Sequence, residues 1–198
     1  MAFTLEEYAQ LRPTLWHLTH AKNLPLIRKN RTLLCAARLV PQGLPDEPRR
    51  GRQVREGVPV LRDQDLLHEG SIAFQSGWSM GDVVRDLNGR VFFWSGWIDR
   101  PVKPGRRAFA RYSTTDIILR VPFRDLAQQG PYFSRVNSGA TRKQGGEAVP
   151  RGPDTFVRAE QSSFRPSAVV EVAFLDSVRM PKSTEVARSF KGPWERLY

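Results

Sequence analysis

A chain of 198 residues is long enough for one domain of ordinary size and too short for two comfortable ones. Its 40% hydrophobic content, with 11 Phe, 5 Trp and 4 Tyr, can build a core and excludes wholesale disorder. Lys and Arg number 31 against 20 acids, a formal charge of +11 that fits contact with a polyanion or a phosphorylated ligand and equally an arginine-rich solvated surface.

The elements expected in chain order begin with a short amphipathic helix over residues 1–12, with Leu5, Tyr8 and Leu11 on one face and Pro13 ending it. LWHLT alternates as a strand. Residues 20–34 read as a helix with Asn23 as cap, Pro25 in the first turn and Leu24, Ile27, Leu33 and Leu34 on the apolar face. Residues 41–57, rich in Pro, Gly and charge, are a long loop. VPVLR is a strand end, and Asp63 or Asp65 caps a short helical stretch after it. SMGDVVRDLN is a helix capped by Ser79, and GRVFFWSGW is the strongest strand. RPVKPGRRAFA reads as a basic loop, TTDIILRVPF as a strand and residues 134–155 as aperiodic. SAVVEVAFLDSV is a continuous apolar strand, and STEVARSF a last short helix. The expectation is one α+β domain over residues 1–198 with five or six short strands.

No run of about 18 apolar residues occurs, so no transmembrane helix is expected. MAFTLEEYAQLRPT lacks the apolar region of a secretory signal, which makes the cytoplasm the simplest compartment. The single Cys35 cannot form an intramolecular disulfide and reads as a buried small hydrophobe. His17 and His20 have no acidic or sulfur ligand at a fixed spacing, so no metal is expected. Glycine-rich phosphate loops and the Gly-x-Ser-x-Gly elbow are both missing from the sequence.

Two features carry chemistry. Arginine supplies 25 of the 31 cations, and residues 100–151 hold eleven Lys and Arg against three acids, a local +8. Arg grips phosphate with a planar fork where Lys is a point charge. Glu171 stands alone in VVEVAF, where an ionised carboxylate is costly to bury, so it faces a cleft or sits at a sheet edge.

LWHLTHAKNLPLIRKNRTLL, the arginine-rich PRRGRQV, the aromatic VFFW and the late-glutamate strand VVEVAFLDSV occur in that order. Together they resemble the DarT-like ADP-ribosyltransferases. LNGRVFFW, VNSGAT and RGPDTF place the closer likeness with a bacterial branch related to the DNA-modifying DarT toxins. The resemblance covers about 70 residues.

It implies an ADP-ribosyltransferase fold, two packed and mostly antiparallel sheets around a cleft that holds NAD as co-substrate. On that likeness His17 and Thr19 match the motif that contacts NAD, and His20 and Asn23 match its continuation. Glu171 matches the catalytic glutamate and Arg50 the functional arginine, with Arg49 and Arg52 as close competitors. The implied activity is mono-ADP-ribosylation of a DNA or RNA base by a monomeric toxin or anti-phage effector with a neutralising antitoxin. A protein acceptor, an RNA 2′-phosphotransferase and a non-catalytic nucleic-acid-binding module are the alternatives. Residues 134–156 are expected to present the acceptor through Asn137, Ser138, Arg142 and Arg151. The chain departs from the family pattern in an insertion over residues 65–88 and in that acceptor loop.

Overall fold

Thr4 opens the first helix with a capping box: its hydroxyl accepts the Glu7 amide at 3.1 Å and its own amide donates to the Glu7 carboxylate at 2.7 Å. The structure is a computed structural model that describes residues 2–40, 42–52, 59–112, 114–138, 143–144 and 147–198. Helix α1 (Leu5–Leu11) buries Tyr8 completely, and the Tyr8 hydroxyl donates to Ser95 Oγ at 2.8 Å. Strand β1 (Thr14–His20) follows, then a 3₁₀ turn (Ala21–Asn23) and helix α2 (Leu24–Asn30). The helix expected to run on to residue 34 stops here, because Arg31 adopts a left-handed φ of 51°. Leu33 and Leu34 belong instead to β2 (Thr32–Leu34), which is followed by α3 (Ala36–Leu39).

Asp63 and Asp65 cap no helix; the chain makes a 3₁₀ turn later, at Glu69–Ser71. A second capping box, Ser79 with Asp82, starts α4 (Met80–Asn88), and β3 (Arg90–Gly96) follows it. The segment expected as a basic loop is helix α5 (Lys103–Tyr112). Pro104 lies in the first turn, where its missing N–H leaves no bond unmade. Gly105 lets the helix lie directly on β3: a Cβ there would stand 2.7 Å from Trp94 Cγ.

Then come β4 (Asp116–Pro122), β5 (Tyr132–Ser134), β6 (Lys143–Gln144) and β7 (Glu147–Ala148). The late apolar run breaks at Asp176, whose φ is 57°, into β8 (Glu171–Leu175) and β9 (Ser177–Arg179). The tail expected as a helix is β10 (Glu185–Ala187), which pairs with β4; β11 (Glu195–Arg196) closes the chain.

The fold is α+β. Seven strands form one antiparallel sheet in the order β11-β10-β4-β1-β3-β8-β5. The second sheet is only the pair β2–β9, and β6–β7 is a separate hairpin. Tyr8, Leu15, Phe93, Phe123, Phe133 and Phe174 pack one face of the large sheet. Trp16, Trp94, Phe109 and Ile118 pack the other. Among the described residues no helix is long and apolar enough to cross a membrane.

One irregularity positions the site. The β1–β3 ladder has three pairs and ends at Trp16↔Trp94. Beyond it β1 stays beside β4 as far as His20, and β3 stays beside β8 back to Arg90. The central strands part at that point, and the sheet opens into a wedge.

Candidate active site

A cleft of about 720 Å³ occupies this wedge, within the range of small-ligand sites. His17, Thr19, His20 and Asn23 line it from β1 and the turn that follows, and Asn137, Ser138 and Glu171 line it from the β8 side.

Glu171 is 1% exposed. Its strand lies between β3 and β5, with Glu171 paired to Trp94 and Ser134, so the carboxylate is not an edge charge. Backbone pairing puts it on the face of Trp94, which borders the wedge. Oε2 accepts the Ser138 amide at 2.7 Å and Oε1 accepts the Ser138 hydroxyl at 3.2 Å. Burial outweighs these bonds and the Arg151 charge, and pushes the carboxyl up to about 7. A buried carboxyl poised near neutral pH in a cleft can stabilise a developing cation or manage a proton.

His17 sits where the strands part. Its Nδ1 lies 2.8 Å from the Phe92 carbonyl, so the ring's side chain bridges the first gap in the ladder. Burial holds the imidazole below its usual range. It is therefore neutral at pH 7 with the proton on Nδ1, which makes Nε2 the ring's acceptor. Thr19 Oγ1 accepts from Asn23 Nδ2 at 3.0 Å. Asn23 does not cap α2 with its side chain as expected. It clasps Val60 instead, donating to the Val60 carbonyl at 3.0 Å and accepting the Val60 amide at 2.8 Å. His20 caps the 3₁₀ turn by accepting the Lys22 amide at 3.1 Å.

Of the three candidate arginines, Arg50 is the one the geometry leaves out. It is exposed, outside the cleft lining, and its Nη1 donates to the Asp65 carbonyl at 3.1 Å. Arg49 and Arg52 line the cleft. Arg49 is buried and donates to Asn88 Oδ1 and to the Arg62 carbonyl, at 2.5 and 3.2 Å. Arg52 forks onto Asp116 at 2.6 and 2.8 Å and covers the Tyr112 ring at 4.2 Å.

The expected acceptor loop divides. Asn137 and Ser138 reach the cleft, and Ser138 spends its polar atoms on Glu171. Arg151 is 3% exposed and donates to the Asn137 carbonyl, so it braces the loop from inside and is not placed to grip an acceptor's phosphate. Its buried guanidinium is pushed down to about 10. Arg142 lies outside the described residues.

Sequence reasoning missed the wall opposite. Tyr112 donates to Asp63 at 2.6 Å, Arg62 stacks on the Tyr112 ring at 5.1 Å, and Lys103, Arg107 and Arg111 line the cleft from α5. The i, i+4, i+8 spacing of those three cations was the available signal. Among the described residues no group of three or more His, Cys, Asp or Glu gathers to hold a metal ion.

A family model described as a family of unknown function, DUF7002, matches residues 13–184. No curated protein matches the chain.

Proposed function

Since the chain belongs to the DUF7002 family, whose function is unknown, we propose an activity from its own cleft: NAD-dependent mono-ADP-ribosyl transfer with Glu171 as the catalytic carboxylate. One observation carries the proposal. A fully buried carboxylate on an apolar strand faces a ligand-sized cleft opened by a split between the two central strands, and His17 and Thr19 line the same cleft from the other strand. The ordered likeness to the DarT-like transferases supports it, as does a lining that joins hydrogen-bonding groups, cations for a pyrophosphate and apolar side chains for a base.

In the proposed reaction the nicotinamide–ribose bond breaks and its electron pair leaves with nicotinamide. Positive charge develops at the ribose C1′ carbon. Ionised Glu171 stabilises that charge, and the water-poor surroundings strengthen the attraction. A nitrogen or oxygen of the acceptor bonds to C1′, and its proton passes to Glu171 or to water. The Nε2 acceptor of His17 and the Thr19 hydroxyl orient the ribose without adding charge. Arg62, exposed beside the cleft, meets the pyrophosphate.

The test is consumption of labelled NAD by purified protein, with the label followed into DNA, RNA or protein. Turnover that disappears in Glu171→Gln supports the proposal. Protein that folds and never consumes NAD, with or without nucleic acid, refutes it.

A further inference from the structure

We propose that the Lys103, Arg107 and Arg111 face of α5 is the strip on which the phosphodiester backbone of a nucleic-acid acceptor docks beside the cleft. This rests on the transferase proposed above and names its acceptor class and where the acceptor lies.

The argument starts from the helix. Residues four apart rise about 6 Å along an α-helix and stay on one face, so the three cations form a row about 12 Å long. All three are exposed and all three line the cleft. The helix cannot turn this row away. Gly105 lies against Trp94 with no room for a Cβ, and Phe109 packs on Phe190 with ring centroids 4.8 Å apart.

Charge then selects the ligand. Residues 100–112 carry five cations and no acid. Elsewhere the arginines facing acids are paired: Arg52 with Asp116, Arg90 with Asp86, Arg120 with Glu185. Among the described residues Lys103, Arg107 and Arg111 form no ion pair. The whole cleft is lined by seven Lys and Arg against three acids. A single pyrophosphate is too short to engage a row of this length in full, whereas successive phosphates of a strand can follow it. Phe92, partly buried on the adjoining wall, offers a ring to a base that leaves the strand.

The experiment is fluorescence anisotropy of a short single-stranded oligonucleotide with the protein in the absence of NAD, across a salt series. Three proteins are compared: the parent, the triple variant Lys103→Gln/Arg107→Gln/Arg111→Gln, and a control with the same charge change at exposed sites away from the cleft, Arg165→Gln/Lys182→Gln/Arg188→Gln. Arg107→Glu serves as a single-residue version. The expected result is binding by the parent, at least a tenfold loss in the α5 triple variant and in Arg107→Glu, and little change in the control. The log–log salt slope should fall by about 2 in the triple variant, at roughly 0.7 per phosphate released. A parent that binds no oligonucleotide overturns the proposal, as does equal weakening by the two triple variants. A parallel titration with ADP-ribose covers the remaining source of phosphate: if the α5 variant loses ADP-ribose and keeps the oligonucleotide, the strip serves the dinucleotide and the proposal fails. Because binding is measured without NAD, its outcome stands apart from whether the protein turns NAD over.

Discussion

Replacing Glu171 by Gln should stabilise the protein above neutral pH while removing the NAD turnover proposed above. The carboxyl is 1% exposed and titrates near 7 in the fold, against 4.5 when solvated. A carboxyl whose folded value is raised favours the folded state when protonated. That contribution is fully present below about pH 4.5 and is lost as pH rises through about 7. A shift of this size corresponds to about 3 kcal/mol, of which about 2–3 kcal/mol separates pH 5 from pH 8. Gln keeps the shape and can still accept the Ser138 amide, but it has no charge to desolvate. Urea unfolding at the two pH values should therefore show Glu171→Gln gaining about 2–3 kcal/mol on the parent as pH rises. NAD turnover in the same protein should fall by about two orders of magnitude or more. A stability difference that does not change with pH would refute the account of Glu171 as a desolvated acid. Unchanged turnover in the folded variant would remove its catalytic role.

Arg52→Ala should cost about 3–5 kcal/mol in chemical denaturation, because it strands the buried Asp116 carboxylate, while Arg50→Ala should shift stability by about 0.5 kcal/mol or less. Equal effects would mean the Arg52–Asp116 pair is not formed in solution. Thr19→Val should weaken NAD binding in calorimetry with a stability change of about 1 kcal/mol or less; equal affinity would make Thr19 a strand residue only. Gly105→Ala should lower stability by about 1–3 kcal/mol, since its Cβ meets Trp94, and a melting temperature equal to the parent's would show that α5 does not lie so close to β3.

The elements legible in the sequence are those whose signals are local. The Ser79 cap and the apolar face of α4, the aromatic run of β3 and the lone glutamate of β8 all announce themselves within ten residues. What the sequence concealed depends on contacts made far away. Residues 185–187 have no strand pattern of their own and become β10 because β4 offers an edge. α5 looks like a loop because Pro104 and Gly105 are read as breakers, yet one falls in the first turn and the other is the contact point with Trp94. Spacing also could not choose among Arg49, Arg50 and Arg52. That choice is made by Asn88, Asp65 and Asp116, which lie 15 or more positions from the arginines they bind. The expectation for Arg151 failed for the same reason: a polar, glycine-rich neighbourhood reads as surface, while its partner Asn137 and the charge of Glu171 lie beneath it.

The bond from His17 to the Phe92 carbonyl bears on how substitutions in the wedge are to be interpreted. A side chain there does the work of a backbone rung at the place where the two central strands part. Position 17 thus answers to two demands at once, and a library screened for activity would reject most replacements whether or not the imidazole meets a ligand. Loss of function at His17 is weak evidence about chemistry for that reason. Thr19, two residues further along, does not bridge the seam; its one side-chain bond is to Asn23, so Ser, which keeps that hydroxyl, is the replacement against which Val separates scaffold from ligand.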